Sequence, residues 1–541
     1  MTTRGFPFVL SLAVLWAVAV AVAVAVRPLL PVDETRYLAV AWEMWQRGDF
    51  LVPHLNGEPY SHKPPLLFWG MHLGWVLFGV NDWWPRLVAP LFGLAALLGT
   101  WRLGRLLWPD LPDAGAVAAA LCLGALFWTL FTTMTMFDML HAAFAVAGIV
   151  GLIRAARGQP VAGFLLFALA IGLGVLGKGP AILVHLLPAA LAAPLWAGRL
   201  GWRANWSRWY AGLAGAVLAG AAIGLAWALP AATAGGDAYR DAILWGQSAG
   251  RMVDSFAHGR PFWWFAVILP AMVLPWLIWP AAWRAVRAEA GAMGADGGVR
   301  LLLIWFAAAF LVFSAISGKQ PHYLVPEFPA LALLGARALV GASAAEGFWR
   351  PADRWVPAVF VVLVAGLIAG AFHFDLKPSW ATSVGDAQLW PLGGVILAAA
   401  VFLRVAGPAA ARTTGVAALS VAAVIAVHVT LRPVMLESHD FREFSRQLKD
   451  FEERGYDFVT FGKYHGQFHF LGRLSRPFGI VDGPAELEDW LKGRSKAMIV
   501  ALHDVLPRGA PPMAEVRFRS RVIGAWDSDL YPPRVQRLKG D

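Results

Sequence analysis

The apolar positions of this chain gather into runs close to the ~20 residues that cross a bilayer, and these runs recur through about the first 430 positions. Hydropathy predicts spans at residues 7–30, 86–107, 114–131, 135–153, 160–177, 180–197, 209–231, 262–281, 301–317, 323–340, 355–373, 389–404 and 413–432, thirteen to within one or two. Arg4 ahead of the first run resembles a signal-peptide start. No clear small-x-small cleavage site precedes Pro31, however, and more spans follow, so the run reads as a retained helix. Segment 31–85 is too polar to span. Within it Leu38, Ala41, Trp42 and Trp45 follow Asp33 at helical spacing, with Gly48 placed to end the helix, which predicts an amphipathic helix lying in the interface. A second short helix is expected to begin at Pro64 and Pro65, because proline is tolerated in a first turn.

After residue 432 the composition breaks. HDFREFSRQLKDFEERG reads as a helix, YDFVTFGKY and KAMIVALHDV as strands, with Gly and Pro turns between them. The expected architecture is an α-helical polytopic membrane domain over residues 1–432 and a small soluble α/β domain over 433–541.

Arginines test the register. With a cytoplasmic N-terminus, every second loop is arginine-rich: Arg102 and Arg105, Arg154 and Arg157, Arg199 with Arg203 and Arg208, Arg284 with Arg287 and Arg300, Arg350 and Arg354, Arg404 and Arg412. That is the positive-inside pattern, and it puts segment 31–85 and the C-terminal domain on the outer face. Of the 541 residues 58% are hydrophobic and 15% charged, against about 25% charged in soluble proteins, which excludes a soluble enzyme. The net charge of +10 sits mostly on arginines scattered between spans, so it reports topology and not a nucleic-acid partner. Cys122 is the only cysteine, which excludes disulfides and thiolate metal sites.

Topology leaves some charges unexplained. Before position 370 the only lysines are Lys63, Lys178 and Lys319, all in outer segments marked by Gly or Pro: SHKPPLLFW, LGKGPAIL and SGKQPHYLVPEFP. Three outer lysines beside helix breaks suit an anion such as a lipid-linked phosphate, whereas singly each could snorkel at the interface. His322 and Tyr323, beside Lys319, suit hydrogen bonds to a phosphate or sugar. In PVDETRYLAV, Asp33 can cap the helix that follows, but a cap explains neither Glu34 nor Arg36. Asp138, about one turn inside a span, is costly there unless functional or paired with an arginine such as Arg36 or Arg86. His62 and His258 could share a divalent metal with Glu34, although two histidines so far apart are poor evidence for one, so a metal is an open alternative and no cofactor is certain.

DETRYLAVAWEMWQRGDFLVPHLNGEPYSHKPPLLFWG, followed by FGVNDWWPRLVAP, resembles the N-terminal signature of the bacterial lipid A aminoarabinose transferase (ArnT-like) family. These are GT-C integral-membrane glycosyltransferases related to the protein O-mannosyltransferases. The likeness continues through Asp138, LGKGP, AHGRPFWWF and SGKQPHYLVPEFPALALL, over about 335 residues. It implies an inner-membrane enzyme that takes a sugar from a polyprenyl-phosphate donor and passes it to lipid A or another envelope acceptor at the periplasmic face.

The resemblance places Asp33 and Glu34 at the active site and Lys63 on the donor phosphate. On that chemistry Asp33 serves the acceptor, with Glu34 and Asp138 in support, and Arg36 restrains the acidic pair. Arg86, Lys178, Arg251 and Lys319 join Lys63 around the leaving phosphate, with His322 and Tyr323 beside them. Direct attack would invert the anomeric centre. The sequence departs from the family at His62, where an acidic residue is common, and at Gln247 and Ser248 ahead of Arg251, where a histidine often stands. A protein, core-sugar or polysaccharide acceptor is an open alternative. A lipid or sugar transporter is the alternative class, although no internal repeat supports it.

Overall fold

The computed structural model describes residues 6–202, 205–244, 259–376, 387–504 and 511–531. Among them nine helices are long and apolar enough to cross a membrane, or ten if the bent pair Ile182–Leu191 and Ala193–Leu200 forms one span. The chain is a multi-span helical membrane protein carrying a small C-terminal sheet.

The N-terminal helices are α1 (Phe6–Val26), α2 (Asp33–Arg47), α3 (Leu66–Phe78), α4 (Pro85–Leu107), α5 (Ala114–Gly124), α6 (Leu126–Phe131), α7 (Asp138–Ala156) and α8 (Pro160–Lys178). Four expected spans are not single long helices: segment 180–197 is the bent pair Ile182–Leu191 and Ala193–Leu200, and three others are broken or short. Segment 114–131 breaks between α5 and α6, segment 262–281 gives only Trp264–Met272 and a turn at Trp276–Ile278, and segment 389–404 gives Trp390–Phe402. The breaks in 114–131 and 262–281 satisfy each other: Leu126 N–H donates to the Leu274 carbonyl at 2.9 Å. Hydropathy counts apolar residues and cannot see a backbone bond supplied by another segment, the condition under which non-helical backbone survives at membrane depth.

The helix predicted behind Asp33 is α2, and Gly48 ends it at φ +65°, a conformation that costs glycine little. The cap assigned to Asp33 is not what forms. Val32 holds the cap position without a side-chain bond, and Asp33 is the first helical residue, its carboxylate engaged by Arg36 and Tyr37 instead. Pro64 and Pro65 precede α3, as their tolerance for a helix start requires.

At the centre of the bundle lies α7, nearly all of it buried, packed on α4 and α8. Helices α7 and α8 have 19 residues each, joined through residues 157–159. They run antiparallel in close contact because Gly151 and Gly163 face each other. A Cβ on Gly163 would stand 2.5 Å from the Ala155 nitrogen and the Gly151 carbonyl oxygen, and small residues are what let membrane helices approach this closely. The start of α7 and the end of α8 therefore share one end of the bundle.

The helix Ala409–His439 leads into Arg442–Glu453 and then into a five-stranded sheet. Its strands, numbered after the short ribbon β1 (His54–Leu55) and β2 (Glu58–Pro59), are β3 (Asp457–Phe461), β4 (Gly479–Val481), β5 (Ala497–His503), β6 (Ala514–Phe518) and β7 (Arg521–Asp527), in the order β4-β3-β5-β7-β6. Strand β3 pairs in parallel with β4 and β5, while β7 pairs antiparallel with β5 and β6. Alternation sends Phe458, Met498 and Val500 to one face, against Phe444 and Leu448 of the preceding helix, and Val459, Ile499 and Trp526 to the other.

This C-terminal unit is seated on segment 31–85. Trp42 Nε1 donates to the Leu474 carbonyl at 2.9 Å, and Asn56 exchanges two hydrogen bonds with the Phe478 backbone. Arg473 pairs with Asp82 at 2.7 Å, and Phe470 stacks on Trp75 with 5.6 Å between ring centroids. These contacts fix the position of α2.

Candidate active site

Antiparallel packing of α7 and α8 has a chemical consequence. Asp138 opens α7 and Lys178 closes α8, so the two side chains meet, with Lys178 Nζ 2.5 Å from Asp138 Oδ1. Each charge also stands at the helix end whose dipole favours it. Lys178 lies over the Tyr323 ring, 4.8 Å from its centroid.

These residues line one end of a cavity of about 500 Å³. Ser61, His62 and Lys63, from the loop ahead of α3, complete that polar end. Away from that end the lining is largely apolar, with Ile171 and Val175 two turns and one turn before Lys178 on α8, Leu225 and Trp227 of the helix Trp206–Ala234, and Phe313. His62 stacks on Tyr60, with centroids 5.2 Å apart. Lys63 Nζ lies 5.6 Å from the centroid of Phe137, whose ring meets the edge of Tyr37 at 4.9 Å.

Asp33 stands one step outside this wall. Its carboxylate is paired with Arg36 and accepts a 3.3 Å hydrogen bond from Tyr37, yet its side chain is 47% exposed. The run Asp33, Tyr37, Phe137, Lys63 thus connects an accessible carboxylate to the polar end of the cavity. The turn 462–467 of the C-terminal domain lies over α2, since a Cβ on Gly466 would come within 2.9 Å of Ala39. Burial, with the Arg36 and Lys463 charges behind it, lowers the His465 imidazole there to about 4.

Other expected site residues are placed elsewhere. Glu34 turns inward and is 2% exposed. It takes both terminal nitrogens of Arg27 and the backbone N–H groups of Leu30 and Thr135 at 2.9 and 2.8 Å. Burial alone would raise its carboxyl, but Arg27, by charge and hydrogen bond, and Arg86 override that and hold it at about 2. Arg36 therefore restrains Asp33 alone, and Arg27 holds Glu34. Arg86 is buried and donates to the carbonyls of Ala23, Val24 and Arg27, closing the end of α1 away from the cavity. Lys319 is 3% exposed and donates to the Arg260 and Ile316 carbonyls, an occupation that keeps it off the cavity wall. His322 stacks on Phe131 at 5.5 Å, behind Tyr323. Arg251 and His258 lie outside the described residues. Among the described residues no group of three or more His, Cys, Asp or Glu side chains is arranged to hold a metal.

Sequence reasoning passed over Arg27 and a buried set that includes two more lining residues of the cavity, His141 and His185. His185 Nδ1 lies 2.5 Å from Glu327 Oε1, and the His141 ring meets His185 edge-on at 5.9 Å. All three are at most 1% exposed. Their signal was available: ionisable residues inside apolar runs are costly and rarely idle.

A family profile described as dolichyl-phosphate-mannose-protein mannosyltransferase matches residues 62–227. The undecaprenyl phosphate-alpha-4-amino-4-deoxy-L-arabinose arabinosyl transferase of Edwardsiella ictaluri is 32% identical over 338 residues, which cover 60% of this chain and 58% of that protein. The namesake of Pseudomonas aeruginosa is 30% identical over 57% of this chain and 55% of its own length. The chain thus matches well under two thirds of the length of these relatives. The crystal structure of ArnT from Cupriavidus metallidurans bound to undecaprenyl phosphate superposes with a TM-score of 0.75 at 20% identity, covering 99% of this chain and all of that one. Over 60% of its length the chain is similar in sequence to these transferases, and over 99% of it the chain has the fold of the Cupriavidus ArnT structure.

Proposed function

We propose that the chain is a glycosyltransferase that moves a sugar from a polyprenyl-phosphate donor to lipid A or another envelope acceptor, at the periplasmic face of the inner membrane. The observation that carries this reading is the two-ended cavity. An apolar wall suited to an isoprenoid chain runs into a polar end that holds Lys63, Lys178, Asp138 and Tyr323. The names of the similar transferases, and the undecaprenyl phosphate bound to the superposed Cupriavidus ArnT, fit such a donor. The periplasmic assignment rests on the arginine register of the loops.

On this reading an acceptor oxygen attacks the anomeric carbon as the bond from that carbon to the phosphate oxygen breaks. Negative charge grows on the departing phosphate, and Lys63 and Lys178 stabilise it. Asp33, accessible and set beside the polar end, takes the proton of a hydroxyl acceptor or orients a phosphate acceptor that has none to give. Asp138 holds Lys178 in place. One displacement inverts the anomeric configuration, and NMR of the product checks that outcome. Two lysines supply the charge the step needs, so EDTA is expected to leave turnover unchanged.

The test uses the purified full chain with an undecaprenyl-phosphate-linked sugar and lipid A, with mass spectrometry following release of undecaprenyl phosphate and gain of mass on the acceptor. Lys63→Ala is expected to weaken donor binding at least tenfold, since a hydrogen bond to a charged group contributes about 1.5–3 kcal/mol. Failure of the wild-type chain to release undecaprenyl phosphate from any of a panel of pentosyl, amino-pentosyl and hexosyl donors would overturn the proposal.

A further inference from the structure

A second, smaller cavity lies on another side of the bundle. It measures about 140 Å³ and is lined by Arg27, Arg86, Arg432, Arg442 and Asp82, together with the chain from Val24 to Leu29 and two leucines. A water molecule takes up about 30 Å³, so this space suits one phosphate-sized group and not a sugar-lipid head. None of its lining residues lines the larger cavity.

Its charges do not balance. Arg27 is paired with Glu34, Arg442 with Asp440 at 2.7 Å, and Asp82 with Arg473 at 2.7 Å. Arg86 spends its terminal nitrogens on backbone carbonyls, which carry no formal charge. Arg432 is exposed and has no ion-pair partner among the described residues. With their ion-pair partners Glu34, Asp440 and Arg473 counted in, the four lining arginines and Asp82 leave Arg86 and Arg432 without a carboxylate, an excess of two positive charges, the charge of a phosphomonoester dianion.

A second observation points to a ligand. Arg27 and Arg86 are 7% and 8% exposed, and the Nε of each is buried without a hydrogen-bond partner. Buried donors are ordinarily satisfied, and leaving one unmade costs about 1–3 kcal/mol. Guanidinium groups are also the side chains best shaped to grip phosphate oxygens.

Position narrows the source of the phosphate. Val24 to Val26 end the apolar α1, Arg432 and Leu436 lie in the last turns of the helix Ala409–His439, and Arg442 and Leu471 belong to the C-terminal domain. The cavity thus sits where spanning helices give way to the C-terminal unit, the level at which lipid phosphates lie. We propose that this basic cavity is a binding site for the phosphomonoester head of an anionic membrane lipid, which would join the first span to the C-terminal domain independently of sugar transfer.

Native mass spectrometry of the full detergent-solubilised chain tests this, with phosphatidic acid and phosphatidylcholine of equal acyl length as probes. Wild type is expected to retain phosphatidic acid at least fivefold better than phosphatidylcholine, and Arg432→Gln and Arg442→Gln to lose that preference. Arg446→Gln, an exposed change paired only with Glu443 on the same helix, is expected to keep it, and turnover of the Arg432→Gln chain on its sugar donor is expected to stay within twofold of wild type. Equal retention of phosphatidic acid by wild type and Arg432→Gln would overturn the site. Displacement of the lipid by millimolar inorganic phosphate would overturn the assignment to a lipid and leave a free-phosphate site.

Discussion

Lys178 Nζ lies 2.5 Å from Asp138 Oδ1, and the pair closes the shared end of two antiparallel helices while lining the polar end of the larger cavity. With the Asp138 side chain 3% exposed and that of Lys178 16% exposed, each depends on the other to remain charged away from water. Removing one member of such a pair costs about 3–5 kcal/mol, whereas replacing both by neutral groups costs far less. Lys178→Met should therefore lower the thermal midpoint in detergent more than the double change Asp138→Asn with Lys178→Met. Both variants should lose transfer, which separates the structural part of the pair from the part in phosphate binding proposed for Lys178.

Glu34 and Asp33 are neighbours in sequence with opposite duties. Asp33→Asn removes a half-exposed carboxylate whose ion pair with Arg36 contributes at most about 1 kcal/mol. The fold should survive unchanged while release of polyprenyl phosphate falls about 100-fold or more, the scale of a lost general base. A variant with wild-type turnover on a hydroxyl acceptor would remove Asp33 from that role.

Glu34 should reveal itself through pH. Its carboxyl is held at about 2 in the folded chain, against an ordinary value of 4.5. A depressed folded value means stabilisation that is complete above the unfolded value and is lost as pH falls through the folded one. Roughly 3 kcal/mol should thus disappear between about pH 4.5 and pH 2. The thermal midpoint of wild type should fall more steeply across that window than that of Glu34→Gln, which should already be less stable at neutral pH. Parallel pH profiles for the two chains would contradict the assignment.

Close approach of α7 and α8 depends on Gly163. Gly163→Val would press a side chain against backbone atoms that cannot move aside, at a cost of about 1–3 kcal/mol. The helices should part, and the Asp138 to Lys178 contact should open with them. Gly215→Ala, in a span where an added Cβ meets nothing within 4 Å, should leave thermal midpoint and transfer unchanged. Equal behaviour of the two variants would show that the glycine contact does not set the site.

The sequence alone determined what one-dimensional physics can carry. Apolar run length marked most of the spans, runs set between Gly and Pro turns marked β3 and β5, and LGKGP and the carboxylate inside an apolar run brought forward Lys178 and Asp138, which the fold does bring together. What it could not carry was direction. Asp33 and Glu34 are adjacent, but successive helical residues point about 100° apart, so one reaches the accessible side and the other the Arg27 side of α1. Lys319 and Arg86 look like free cations in a sequence and are held by backbone carbonyls in the structure. The broken spans at α5 and Trp264–Met272, and the pairing of His185 with Glu327, depend on bonds between distant segments. Only tertiary structure decides such bonds, because a buried polar group is satisfied by whatever partner the packing brings within reach.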